Sequence, residues 1–169
     1  MTAILLIGFM GAGKSTVGRQ LAADLDLPFV DLDTAIEAEI QMSIADYFAT
    51  QGEASFRQIE SRILQEIVAQ EAVVACGGGI ILQPQNHQLL KRQPNVVYLQ
   101  TNPDQLYQRI SQDTQNQRPL ADEKTAAEVT AILQPRLPLY QEAASLVVVT
   151  DDKTPAIIAT EIIERLGKL

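Results

Sequence analysis

Gly8-Phe9-Met10-Gly11-Ala12-Gly13-Lys14-Ser15 constrains this chain more than any other stretch. It follows an apolar run, Ala3-Ile4-Leu5-Leu6-Ile7, that reads as a buried strand. It precedes Val17, Leu21, Ala22 and Leu25, which recur at helical spacing. A G-x-x-x-x-G-K-S pattern between a strand and a helix is a phosphate-binding loop. The glycines let successive N–H groups converge on one concavity. The next helix turns its positive end to the same spot. Gly11, Ala12, Gly13, Lys14, Ser15 and Thr16 are therefore the expected nucleotide contacts, with Lys14 on the β- and γ-phosphates. Ser15 offers a hydroxyl where Mg2+ would sit. The bland alternative, a tight glycine turn, does not explain Lys-Ser with those flanks.

The 169 residues suit one domain with a sizeable core. A net charge of −8 argues against a nucleic-acid surface, so phosphate-binding arginines should cluster near the loop. Cys76 is the only cysteine, which excludes an internal disulfide and fits a reducing, cytoplasmic setting. The first strand is expected at about Ala3, leaving no room for a leader peptide. No apolar run approaches the roughly 18 residues of a membrane span. The lone histidine, His87, lies in Gln85-Asn86-His87-Gln88 and reads as a surface residue.

Strands are expected at residues 29–33, 72–76, 95–99 and 146–149, and helices at 34–40, 43–51, 53–70, 84–92, 103–110, 125–133 and 156–166. Strands alternating with helices imply a five-stranded parallel sheet with helices on both faces. Ligands then bind beyond the carboxyl ends of the strands. Residues 111–123 are polar, without apolar period, and read as a mobile loop.

Several clusters fall at strand ends. Asp31 and Asp33 sit two apart in a predicted strand, which puts both carboxylates on one face, roughly 7 Å apart. One could hold magnesium while the other takes a proton from a substrate hydroxyl. Asp33 could instead be the N-cap of the next helix, though its position beside the phosphate loop favours function. Gly77-Gly78-Gly79 could touch a ligand or simply make a crowded turn. Arg57 could be a ligand or a solvated helix residue paired with Glu53 or Glu60.

Taken together, Gly8 to Ser15, Asp31-Leu32-Asp33, Gly52-Glu53-Ala54-Ser55-Phe56-Arg57-Gln58-Ile59-Glu60, Gly77-Gly78-Gly79, Arg118-Pro119-Leu120 and Arg136-Leu137-Pro138-Leu139-Tyr140 resemble the shikimate kinases over essentially the full chain. The resemblance implies a single P-loop kinase domain over 1–169, nucleoside-monophosphate-kinase-like, with a substrate-binding region at about 33–61 and a mobile lid at about 111–123. It implies transfer of the γ-phosphoryl group of ATP to the 3-hydroxyl of shikimate, a step of aromatic amino-acid biosynthesis. Lys14 and Ser15 would serve ATP and Mg2+, and Asp31 would reach the metal through water. Asp33 would bind the shikimate hydroxyls and act as base. Arg57 and Arg136 would clamp the carboxylate, with Gly77, Gly78 and Gly79 against the ring. Arg118 would be the lid arginine, Arg109 a second phosphate contact, and the loop holding Asp152 would lie near adenine. ATP and shikimate are the expected partners of a cytoplasmic, monomeric enzyme with no nucleic-acid or membrane partner.

Two features depart from the family pattern. Ala75-Cys76 stands where a hydroxyl residue is frequent, and residues 111–117 carry no basic group. Among rivals, a signalling GTPase would need Asp-x-x-Gly and Asn-Lys-x-Asp motifs, and neither occurs. Gluconate kinases share the architecture. A kinase-like binding protein would have lost Lys14 or Asp33, and both are present.

Overall fold

The first apolar run forms β1 (Ile4–Ile7), and all four of its side chains are buried. Successive strand residues face opposite ways, so both faces of β1 are covered. The computed structural model describes residues 2–112 and 126–167. Among these, β1 is joined by β2 (Phe29–Asp31), β3 (Val73–Ala75), β4 (Val96–Gln100) and β5 (Leu146–Val149). The order is β2-β3-β1-β4-β5, and every pairing is parallel. β1 is central, with Leu6 paired to Ala75 on one side and Val97 on the other. The phosphate loop, the acidic pair and the glycine triplet therefore leave β1, β2 and β3 at the carboxyl end of the sheet.

The helices are α1 (Lys14–Leu25), α2 (Leu32–Ile40), α3 (Ile44–Gln51), α4 (Glu53–Ile67), α5 (Pro84–Lys91), α6 (Pro103–Gln112), α7 (Ala126–Leu133), α8 (Leu137–Ala143) and α9 (Pro155–Leu166). Short 3-10 turns lie at Ile80–Leu82 and Gln134–Arg136. α1 packs on α9, and α4 and α8 both pack on α5. Ser43 caps α3, its Oγ accepting from the Asp46 N–H at 3.1 Å.

Three expectations are corrected. First, β2 stops at Asp31, and Leu32 and Asp33 already belong to α2. Asp31 rather than Asp33 is the N-cap, accepting from the Thr34 N–H at 3.1 Å. The period-two argument therefore does not relate the two carboxylates. Second, α1 begins at Lys14, directly after the left-handed Gly13. Third, His87 is buried, 9% exposed, with Asn86 at 0%. Local polarity suggested a surface, yet Asn86, His87 and Leu90 make up the inward side of α5. His87 Nε2 lies 3.5 Å from Glu142 Oε2 of α8. The expected lid falls mainly on residues 113–123, outside the described residues.

Candidate active site

The phosphate loop curls between β1 and α1. Gly8 is required by a close approach, since a Cβ there would stand 2.9 Å from the Leu99 carbonyl oxygen. Gly13 has φ 90°, a conformation that favours glycine, and it delivers the chain straight into α1. Lys14 Nζ donates to the carbonyls of Gly8 at 2.7 Å and Phe9 at 3.0 Å. Its charge is thus held against the concavity of the loop. Ser15 Oγ donates to Asp31 Oδ2 at 2.7 Å, while Asp31 Oδ1 caps α2. These two hard oxygen groups are adjacent, as a magnesium site served by few protein ligands requires. Among the described residues no group of three or more His, Cys, Asp or Glu could hold a metal.

One face of α6 frames the other side of the loop. Arg109 Nη1 donates to the Gly11 carbonyl at 3.1 Å. Gln105, one turn earlier, donates from Nε2 to Asp152 Oδ1 at 3.2 Å. Residues four apart share a helix face. α6 therefore joins the phosphate loop to the loop after β5 through Arg109 and Gln105. Arg118 lies outside the described residues.

A pocket opens beside the phosphate loop. It is lined by the polar Asp33, Arg57 and Glu60, the glycine triplet, and the apolar Ile44, Phe48 and Phe56. The two phenylalanines meet edge to face, 4.9 Å between centroids. Sequence periodicity assigned such apolar residues to the core, and nothing in it separates core from pocket wall. Arg57 is 8% exposed, not solvated, and is paired with Glu60 at 2.9 Å and Glu53 at 3.4 Å. The glycines answer the question left open above. None of the three has a left-handed φ, so conformation does not demand them. Space bears on two of them: a Cβ on Gly77 would stand 2.7 Å from Asp33 Oδ1 and one on Gly79 2.5 Å from Arg57 Nη2, so those side chains would have to shift. One on Gly78 would meet the Met10 nitrogen at an ordinary 3.4 Å. The turn is crowded by the site's own side chains. Arg136, 7% exposed, donates from Nη1 to the Gly78 carbonyl at 3.4 Å, and its guanidinium lies over the Phe9 ring at 5.4 Å. Cys76 is buried, and burial pushes its thiol up, so it remains protonated and inert.

The electrostatics suit an acid–base role. Burial raises the Asp33 pKa, the Asp31 charge adds to that, and Lys14 opposes it. A raised carboxylate is a stronger base once ionised. Burial also pushes Glu60 up to about 7, with Arg57 pulling back. Between its ordinary value of 4.5 and about 7, folded Glu60 binds a proton that the unfolded chain has released. Stability from this group is therefore lost as pH rises through that window. Glu60→Gln should remove that component. The wild-type melting temperature minus that of the variant is expected to fall between pH 5 and pH 8. A difference independent of pH would contradict the assignment.

Comparison with known proteins decides the family. Residues 10–167 match the family model described as shikimate kinase. The chain belongs to the shikimate kinase family. It is 45% identical to the shikimate kinase of Enterococcus faecalis, over 98% of this chain and 99% of that one. The structure of shikimate kinase from Acinetobacter baumannii in complex with shikimate superposes with TM-score 0.91 at 36% identity, covering 99% of this chain and 94% of that one. A gluconokinase from Sinorhizobium meliloti aligns with TM-score 0.61 at 17% identity, covering 98% of this chain and 91% of that one, a likeness of fold alone. Like its shikimate kinase relatives, this chain is a phosphotransferase with ATP as co-substrate. Among the described residues no helix is long and apolar enough to cross a membrane.

Proposed function

We propose that this chain transfers the γ-phosphoryl group of ATP to the 3-hydroxyl of shikimate, giving shikimate 3-phosphate and ADP. The observation that carries the reading is the pocket where Asp33, Arg57 and the glycine triplet meet beside the phosphate loop. Its floor touches that loop, since a Cβ on Gly78 would stand 3.4 Å from the Met10 nitrogen. An acceptor there lies next to the phosphates. The chemistry fits a cyclic hydroxy-acid: Ile44, Phe48 and Phe56 of the pocket suit a ring face, and buried Arg57 in the pocket, with buried Arg136 on the Gly78 carbonyl beside it, suits a carboxylate.

In the proposed mechanism the phosphate-loop N–H groups, Lys14 and Arg109 orient the ATP phosphates. Asp152 and its loop lie on the adenine side. Ser15 and Asp31 would hold Mg2+, which when bound neutralises charge on the β- and γ-phosphates. The 3-hydroxyl oxygen attacks the γ-phosphorus, the bond to the bridging oxygen breaks, and ADP leaves. Asp33 takes the hydroxyl proton. Phosphoryl transfer has a loose transition state, so positioning and charge contribute most of the catalysis. Arg57 and Arg136 fix the carboxylate and hence the ring. Arg118, on sequence grounds alone, is proposed to cover the γ-phosphate. The enzyme is proposed to be one domain over 1–169, monomeric and cytoplasmic, with no nucleic-acid or membrane partner; the charge of −8 supports the former exclusion.

The test is to incubate the protein with ATP, Mg2+ and shikimate and to identify the product by phosphorus NMR. A single phosphate ester coupled to the proton on carbon 3 is expected. An ester on another hydroxyl, or none, would overturn the reading. Gly79→Ala probes the clamp. Its Cβ must displace Arg57, so the KM for shikimate should rise roughly tenfold or more, the size of one charge-assisted hydrogen bond of about 1.5–3 kcal/mol. The KM for ATP should stay within about twofold by the same reasoning. Equal rises for both would point to general misfolding instead.

A further inference from the structure

We infer that Tyr140 is a positioning residue for the acceptor site, acting through the Gly78 carbonyl that its hydroxyl shares with Arg136. The inference rests on the reading above, in which Arg136 grips the acceptor carboxylate. Tyr140 Oη donates to the Gly78 carbonyl at 2.5 Å, and Arg136 Nη1 approaches the same oxygen at 3.4 Å. The side chain is fully buried, and its ring stacks on Tyr98 at 5.0 Å with an interplanar angle of 18°. Tyr98 in turn belongs to β4, in register with Ile7, the last residue of β1 before the phosphate loop. The hydroxyl is therefore carried by a ring with no room to wander. Burial pushes the phenol up, so it remains a donor at any working pH.

The consequence follows from peptide geometry. In a trans peptide the carbonyl of Gly78 and the N–H of Gly79 point in opposite directions. Pinning that carbonyl fixes the peptide plane and aims the Gly79 N–H away from Tyr140. Gly78 has no side chain to hold the plane itself. Arg136 alone is a weak holder at 3.4 Å, and its remaining donors are needed for the acceptor. Tyr140 thus orients the glycine turn and leaves Arg136 free to bind.

Tyr140→Phe removes only the hydroxyl and keeps the stacked ring. The KM for shikimate should rise roughly three- to tenfold, the range of one neutral hydrogen bond. The KM for ATP should hardly change, and the melting temperature of the ligand-free protein should fall only by the roughly 2–4 °C that one lost hydrogen bond accounts for. A double-mutant cycle supplies a readout that a merely structural role would not move. On an Arg136→Lys background, Tyr140→Phe should add less than about twofold, because both changes act on one contact. Full additivity, an unchanged shikimate KM, or equal rises for both substrates would overturn the inference. If Arg136→Lys itself leaves the shikimate KM unchanged, the reading of the carboxylate clamp fails instead, and the two failures are thereby distinguished.

Discussion

Lys14→Met is expected to fold and melt like the wild type while losing turnover by roughly 10²–10³-fold, as when a preorganised donor to the transition-state charge is removed. Nζ of Lys14 donates to two phosphate-loop carbonyls, Gly8 and Phe9. The loop shape is set mainly by its glycines and by the Ala12 N–H donating to the Phe9 carbonyl at 3.1 Å. The core strands do not depend on Lys14. Methionine keeps the length and apolar stem of the side chain and deletes the charge. Turnover at saturating substrates, read beside a thermal melt, checks this. Near-normal turnover in a folded variant would contradict the role given to the loop.

Asp33→Asn carries the second large effect. The amide keeps the shape of the side chain but loses the base and its charge. A positioned base contributes roughly 10²–10⁴-fold, and turnover should fall by that much. Shikimate should still bind, since Arg57 and Arg136 are untouched. Asp33 is a desolvated carboxylate beside the Asp31 charge. Removing its charge should therefore leave the fold as stable or more so. Calorimetric titration with shikimate separates the roles. A variant that binds no shikimate would make Asp33 chiefly a binding group.

Much of this could be read from the chain because its strands are buried on both faces. Runs such as Ile4–Ile7 and Val96–Gln100 are continuous and apolar, and the helices between them show their period. The acidic pair was harder. Asp31 and Asp33 obey strand spacing on paper, but a helix cap intervenes between them. Propensity does not say which of the two aspartates will be the N-cap. The glycine triplet was ambiguous because its reason lies in Asp33 and Arg57, distant in sequence. His87 misled because three polar neighbours outweighed one buried Leu90. Tyr140 went unassigned because the acceptor of its hydroxyl is 62 residues away. The contacts of the glycines, of His87 and of Tyr140 are tertiary, and local pattern holds no record of them, whereas the Asp31 cap is a local contact three residues long.

The central claim is acceptor identity, and ADP release with shikimate, with gluconate and with no acceptor tests it most directly. Release is predicted to be fast with shikimate and near background in the other two arms. Faster release with gluconate would make the chain a sugar-acid kinase on the same fold. Release at one rate in all three arms would show that the pocket beside the phosphate loop takes no acceptor, and the account would fail.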